Sequence, residues 1–294
     1  MAVTEVLAPA AHTEEEAQTR PSIWGKHRRK IVIGIPAALI AGLFFACFVL
    51  PSLISIPPPV GGSVLDSALP PGSPGHILGT DINGNDVLSR LLHGGRASLI
   101  VALAVNLIGL GIGGSVGALS AFLGGKSDTV IMRILDVFIA FPSLVLTIAI
   151  AQALGPSLRN TILALTAFSI PAVARISRSA TLKVMNMPYL QAAEMSGSPG
   201  WRILLRHVAP NIVPQMVNYA MLGTGMLIVT EGALSFLGLG IPPPDPSWGN
   251  MIFDGQQSLS ATPLLVLWPS LALLLTVLAF NMLGENLRDE MSSR

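Results

Sequence analysis

The chain has 294 residues, of which 51% are hydrophobic and 11% are charged, and its formal net charge is +1. A water-exposed surface needs more charged side chains than this, so the composition argues against an ordinary soluble globular protein. The net charge says little by itself, because membrane proteins depend on where the charges lie, and nucleic-acid binding is not expected. The single cysteine, Cys47, leaves no disulfide framework or thiol pair.

The hydrophobic residues gather in long uncharged runs, which favours a protein that crosses a membrane several times. A helix of about 20 residues has the length of a bilayer core of roughly 30 Å. Residues 1–30 begin with polar and acidic residues and end in a basic cluster, so they are predicted to form a largely disordered cytoplasmic tail. Residues 31–50 carry no charge and are predicted to form an uncleaved first transmembrane helix.

The next segment, residues 51–97, is rich in proline and glycine, as in Pro57-Pro58-Pro59, and is predicted to be external. Residues 98–284 are predicted to form a core of five further helices, and residues 285–294 a cytoplasmic tail. The sequence thus predicts an all-α integral membrane protein with six transmembrane helices. The five later crossings are predicted at residues 98–123, 134–154, 158–173, 211–237 and 263–283.

The distribution of Lys and Arg predicts which side of the membrane each loop faces, because basic residues resist translocation. If the amino terminus is inside, fourteen of the 17 basic residues lie on the cytoplasmic side. Only Arg90, Arg96 and Arg159 then lie outside. We therefore expect both termini to be cytoplasmic, together with the loop 176–210 between the fourth and fifth crossings.

That loop has the local signals of two short helices joined by a tight turn. The first predicted helix has Pro188 in its first turn and ends at Gly197, since a helix often closes on a residue with positive φ. Ser198 can then cap a second helix that has Pro199 at its first position and ends at the breaker Pro210. The sequence predicts a compact helical elbow in the cytoplasm.

In this elbow, Gln191-Ala192-Ala193, Gly197 and Pro210 resemble the signature loop of inner-membrane permeases of binding-protein-dependent ABC importers. The family pattern is Glu-Ala-Ala, three residues, Gly, and a longer gap that ends in Pro. Gln191 stands where the family has Glu, which puts a charge contact there in doubt, although Glu194 one turn later could replace it. The resemblance implies that the elbow docks on a separate ATPase subunit. The residues implied in this coupling are Tyr189, Leu190, Gln191, Ala192, Ala193, Glu194, Gly197, Arg206, His207 and Pro210.

Four further segments resemble the dipeptide, oligopeptide and nickel branch of this family. They lie at residues 76–90, 234–243, 248–250 and 284–289. The resemblance implies the type I permease fold and the import of peptides, with nickel complexes or glutathione as alternative cargo.

The same resemblance implies several partners. They are a homologous permease subunit in a heterodimer, two ATPase subunits, an external solute-binding protein, and membrane lipid around the helices. The ATPase subunits are expected to bind ATP and Mg, whereas this chain is expected to bind no cofactor or metal and to have no enzymatic activity of its own.

Glycines in the second crossing imitate a nucleotide-binding motif. Residues 109–114 fit a dinucleotide-binding pattern but lie inside an apolar helix with no strand before them. Gly109, Gly113 and Gly117 recur every four residues, which is typical of a helix face that another helix approaches closely. Helix packing is therefore the preferred interpretation.

Three charged residues lie within or near the apolar runs, where a charge at mid-bilayer costs roughly 2.5–3.5 kcal/mol on insertion scales. Glu231 is expected near the external end of its helix, either as part of an external gate or permease interface or as a structural hydrogen-bonding or surface-facing carboxylate. Asp136 and Arg175 are expected near the cytoplasmic ends, with structural roles.

Two other classes of membrane protein remain as alternatives. An ion-driven secondary transporter would show paired inverted repeats and interrupted helices around midplane charges. An intramembrane hydrolase would need a nucleophile and a base that converge within the spans. The sequence displays neither pattern.

Overall fold

A computed structural model describes the backbone of residues 23–292 and the side chains of residues 33–288. Within these ranges, regular structure is helical apart from two isolated β-bridges. The α-helices are α1 Ile23–Phe44, α2 Leu50–Leu53, α3 Val87–Ile108, α4 Gly114–Leu123, α5 Gly125–Ile139, α6 Ser143–Leu154, α7 Leu158–Met185, α8 Pro188–Met195, α9 Gly200–Ile203, α10 Ala209–Phe236, α11 Trp248–Gln256 and α12 Leu264–Ser292. Three π-helical turns continue the helix between neighbouring elements, at Phe45–Val49, Gly109–Gly113 and Leu204–Val208.

Five continuous helical stretches are long and apolar enough to cross a membrane. They are Ile33–Leu53, Val87–Leu123, Leu158–Met185, Gly200–Phe236 and Leu264–Arg288. The pair α5 and α6 is apolar enough for a sixth crossing, although the two helices are bent by 81° at a short break. Pro142 lies at this break, and a residue before proline is disfavoured in the α conformation. The all-α membrane fold is thereby confirmed, with five continuous candidate spans and a sixth if the bent pair counts as one span.

The second crossing begins earlier than predicted. The Asp86 carboxylate accepts a hydrogen bond from the backbone N–H of Ser89 at 2.7 Å and caps α3, so the helix starts at Val87 rather than at residue 98. The first crossing also continues to Leu53. The segment between the first two long helices therefore covers residues 54–86, which is shorter than the predicted limits 51–97.

Three other predicted boundaries were also wrong. Helix α7 continues to Met185 and the next long helix begins at Gly200, so the predicted loop 176–210 is reduced to 186–199. Helix α12 includes most of the predicted tail 285–294, and α1 begins within the predicted tail 1–30. The remainder of that first tail, residues 1–22, lies outside the described residues.

A seam of glycines brings α7 close to the second crossing. Gly109, Gly113 and Gly117 all face α7. A Cβ atom on Gly113 would lie 2.6 Å from the carbonyl oxygen of Ile170, and one on Gly117 would overlap the carbonyl of Ala174. Larger residues at these positions would therefore force the two helices apart.

Two clusters of buried hydrophobic side chains hold the helices together. The first includes Val101, Ile228 and Trp248, and the Trp248 indole N–H donates to the carbonyl of Leu91 at 3.0 Å. The second lies beneath α8, where Leu190 packs with side chains of α7, α9 and α10. These clusters fix the two ends of the long helices to their neighbouring short segments.

Candidate functional site

The candidate site is the short helix α8 between the long helices α7 and α10. One side of α8 is fixed, because Leu190 is only 2% exposed and belongs to the second buried cluster together with Ile203. The other side is open, since Tyr189 is 45% and Met195 is 89% exposed. Helix α8 thus presents one face to a possible partner while the opposite face is held by the chain itself.

A glycine turn closes α8 in the predicted place. Gly197 has a φ of +74°, a conformation that L side chains rarely adopt. Its N–H donates to the carbonyl of Glu194 at 2.9 Å, and the N–H of Ser198 donates to the carbonyl of Ala193 at 3.2 Å. This pair of bonds is the Schellman arrangement, so the predicted helix end at Gly197 is confirmed.

The start of the second helix differs from the prediction. Pro199 has extended backbone and is itself the residue before the first turn, the helix begins at Gly200, and no side chain caps this end. Ser198 is therefore not a cap. The helix that follows begins one residue later than predicted.

Pro210 was predicted to end that helix, and this was wrong. The helix runs on from Gly200 to Phe236. A π-helical turn, Leu204–Val208, precedes Pro210, which lies in the first turn of α10. The π turn shifts the hydrogen-bond register, so a residue without an N–H and with a bulky ring is accommodated at this point.

The predicted coupling residues fall on two elements. Gln191, Ala192 and Glu194 are exposed on α8, whereas Ala193 is half-buried. Three predicted residues lie on the helix after the turn, where Arg206 and Pro210 are exposed and His207 is half-buried.

Sequence reasoning missed an exposed apolar group around this turn. Trp201 and Leu205 are each more than half exposed, as is Met195 on α8. The Arg202 guanidinium lies 5.5 Å from the centroid of the Trp201 ring, a cation–π distance. Neighbouring exposed apolar side chains of this size are typical of a surface that binds another protein.

Two ion pairs join α5 to α7 next to the site. The Arg178 guanidinium donates to both carboxylate oxygens of Asp128, at 2.7 and 2.5 Å, and the Ser120 hydroxyl donates to the same carboxylate at 2.6 Å. Arg175 donates to Asp136 at 2.6 Å. Asp136 and Arg175 thus pair with each other, a pairing that could not be predicted because 39 residues separate them, and their structural role stays a prediction.

Glu231 lies in a buried polar cluster near the other end of α10. The residue is 1% exposed, and its two carboxylate oxygens accept hydrogen bonds from the hydroxyls of Ser98 and Ser235, each at 2.7 Å. Of the predicted alternatives, the surface-facing carboxylate is therefore wrong, and the hydrogen-bonded one describes the geometry.

A further polar group links the segment 54–86 to the helices that follow it. The Arg90 guanidinium lies 3.3 Å from Asp81 and 3.5 Å from Asp254 of α11. Burial raises the pKa of Asp254 above its ordinary value, and the charge of Arg90 opposes this effect. Within residues 33–288, no group of three His, Cys, Asp or Glu side chains is placed to hold a metal ion.

Comparison with known proteins identifies the family. Residues 113–292 match the family described as "Binding-protein-dependent transport system inner membrane component". The glutathione transport system permease protein GsiD of Pectobacterium atrosepticum is 41% identical over 222 residues, which cover 76% of this chain and 74% of that protein.

Two further relatives are named for the peptides that they transport. The probable D,D-dipeptide transport system permease protein DdpC of Escherichia coli is 39% identical over 76% of each chain. The di/tripeptide transport system permease protein DppC of Pseudomonas aeruginosa is 38% identical over 74% of this chain and 72% of its own length. This chain belongs to the family of inner membrane permease components of binding-protein-dependent ABC importers.

Proposed function

We propose that this permease moves short peptides into the cell by alternating access, driven by ATP hydrolysis in separate subunits. It pairs with a homologous permease, and the helices of the two chains enclose the path. Two ATPase subunits bind ATP and Mg on the inner side, and a solute-binding protein delivers cargo on the outer side. This chain supplies part of the path and the contact to the ATPase subunits.

The geometry of α8 is the single observation that carries this proposal. Leu190 fixes the helix to the buried cluster, while Tyr189 and Met195 remain open to a partner. Because α8 lies directly between α7 and the 37-residue helix Gly200–Phe236, a partner that grips α8 acts on two membrane spans together. A short helix with one anchored face and one exposed face suits that transmission.

The orientation follows from the basic residues. Fourteen of 17 lie on the side of α8 and of both termini, which supports a cytoplasmic position for all three. An ATPase that uses cytoplasmic ATP then has access to α8.

Short peptides are the proposed cargo because the relatives are named for dipeptides, tripeptides and glutathione. Glutathione is itself a tripeptide, so all of these named cargoes carry amide groups. Nickel complexes remain the alternative from the wider branch. Competition against uptake of a labelled dipeptide by unlabelled tripeptide, glutathione and a nickel–histidine complex separates these cases.

The proposed docking is tested by crosslinking Met195→Cys to the ATPase subunits of the purified complex. A Cys47→Ala background removes the single native thiol, and Leu65→Cys is the control because Leu65 is 95% exposed in the external segment. A short thiol-to-amine crosslinker should join position 195, and not position 65, to an ATPase subunit. Failure to crosslink at 195 in an assembled, active complex would contradict the proposed contact.

A further inference from the structure

A groove of about 300 Å³ opens on the surface of the membrane-spanning part. Its walls are α6, α7 and α10, and Asn106 of α3 lies at its base. The lining includes Phe168 of α7 and Met226 of α10, and Met226 is more than half exposed. The groove is therefore open toward whatever surrounds this chain in the membrane.

The groove lies at the depth of the bilayer centre. Asn106 is near the middle of the span Val87–Leu123, Phe168 is near the middle of Leu158–Met185, and Gly223 is somewhat past the middle of Gly200–Phe236. Spans that cross the same bilayer have their middles at similar depth. A lipid-facing surface at this depth should be uniformly apolar.

The lining of the groove is not uniformly apolar. The Asn106 amide donates to the hydroxyl of Thr224 at 2.8 Å and to the carbonyl of Ala220 at 3.3 Å. Five further lining residues carry a hydroxyl, namely Ser143, Thr147, Ser169, Tyr219 and Thr230. The hydroxyls of Thr147 and Thr230 donate to backbone carbonyls of their own helices. The lining residues include no Asp, Glu, Lys, Arg or His. Such a surface can hydrogen-bond amide groups without selecting for charge.

The break between α5 and α6 is a second, independent indication that the groove borders a solute path. Ala140, Phe141 and Pro142 separate α5 from α6 and are all exposed on this chain. Ser143, the first residue of α6, already lines the groove. Non-helical backbone at membrane depth is tolerated only where protein covers it or where it lines a water-filled cavity. The break therefore also points to a path rather than to lipid.

Gly223 controls the free space in this groove. It lines the groove, and a Cβ atom built there would meet no atom within 4 Å. A larger side chain at position 223 would occupy open space instead of disturbing the helix packing. Its size would thus subtract directly from the width of the groove.

We propose that this groove is the wall that this chain contributes to the solute path, and that Gly223 sets the largest peptide side chain that passes. The inference rests on the proposed import function. The cargo is a short peptide whose amide groups meet the hydroxyls and the Asn106 amide, while its side chains slide over the apolar lining. Because the lining residues include no Asp, Glu, Lys, Arg or His, we expect acidic and basic peptides to pass alike.

The first test is peptide uptake by the reconstituted complex with Gly223→Ala, Gly223→Leu and Gly223→Trp. Gly42→Trp is the matched control, because Gly42 lies near the middle of the first span and also has nothing within 4 Å. Gly223→Leu should reduce uptake of a peptide with bulky side chains about ten-fold more than uptake of dialanine, since pocket fit discriminates by such factors. Gly223→Trp should stop both, whereas Gly42→Trp should transport normally.

The second test does not depend on transport. In a Cys47→Ala background, Gly223→Cys should react with a membrane-impermeant thiosulfonate reagent, and bound peptide should slow the reaction, whereas Gly42→Cys should stay unreacted. Lack of reaction at 223 would assign the groove to lipid or to a partner helix and overturn the inference. Normal peptide uptake by Gly223→Trp would overturn it as well. If wild-type complex imports no peptide, the proposed function fails instead, so the two failures are distinguishable.

Discussion

At the scale of single residues, Glu231 shows how a carboxylate is accommodated inside a membrane helix without a basic partner. Its oxygens accept hydrogen bonds from the hydroxyls of Ser98 on α3 and Ser235 on α10. These hydrogen bonds offset part of the cost of burying the carboxyl group. The sequence indicated an unusual carboxylate but not its partners, because Ser98 is 133 residues away.

We expect Glu231→Ala to destabilise the complex by about 1–3 kcal/mol, because the hydroxyls of Ser98 and Ser235 lose their acceptor inside the protein. Glu231→Gln should cost less, since its amide oxygen still accepts. Thr230→Ala is the control, as this hydroxyl only bonds to its own helix at the carbonyl of Met226. Thermal unfolding of the detergent-solubilised complex measures the difference, and equal melting temperatures for Glu231→Ala and Thr230→Ala would refute a stabilising cluster.

The variant Glu231→Gln also tests whether Glu231 belongs to the proposed external gate. If Glu231 takes part in gating, Glu231→Gln should assemble normally but import peptide more slowly than wild type. Normal uptake and normal coupling to ATP hydrolysis in this variant would leave the carboxylate with a structural role alone.

At the scale of elements, local signals predicted some helix ends and missed others. Gly197 ends α8 as predicted because a positive φ favours glycine whatever the distant contacts are. Pro210 does not end its helix, since the preceding π turn accommodates the ring. A π turn depends on how the helix packs against its neighbours, so single-sequence reasoning has no reliable signal for it.

The turn after α8 can be tested with valine at two glycines of positive φ. Gly197→Val and Gly155→Val both place a side chain at positive φ in open space. Gly197→Val should cost about 1–2 kcal/mol, and Gly155→Val at least as much, because its ψ of 160° lies in a region that only glycine readily adopts. Both variants should insert into the membrane. Only Gly197→Val should lose peptide-stimulated ATP hydrolysis, because only this turn positions α8. Wild-type hydrolysis in Gly197→Val, or an equal loss in Gly155→Val, would argue against α8 as the coupling element.

At the scale of the whole molecule, hydropathy was sufficient to predict the apolar spans and their order, five of them continuous and one interrupted. The bilayer requires long apolar helices, so this signal is strong in any single sequence. The bend of 81° within the third crossing, and the ion pairs that link α5 to α7, were not predicted. These features depend on contacts between segments that are far apart in the chain. The groove beside α6 was missed for the same reason.

The orientation of the whole chain is open to direct labelling. In a Cys47→Ala background, Leu65→Cys should react with an impermeant thiol reagent in right-side-out vesicles. Met195→Cys should react only in inside-out vesicles from which the ATPase subunits have been stripped, because α8 is expected on the cytoplasmic side. Labelling of position 195 from the outside would reverse the topology and exclude an ATPase contact.

The uninterrupted helix from Gly200 to Phe236 has a mechanical consequence. At about 1.5 Å per residue its 37 residues form a rod of about 55 Å. If this rod tilts by about 5° around its centre, each tip is displaced by about 2.4 Å. One tip adjoins α8, and the other carries the carboxylate that accepts a hydrogen bond from Ser98 of α3. A pull on the inner tip would therefore displace the outer tip in the opposite direction and strain this contact between α10 and α3 without any change within the rod.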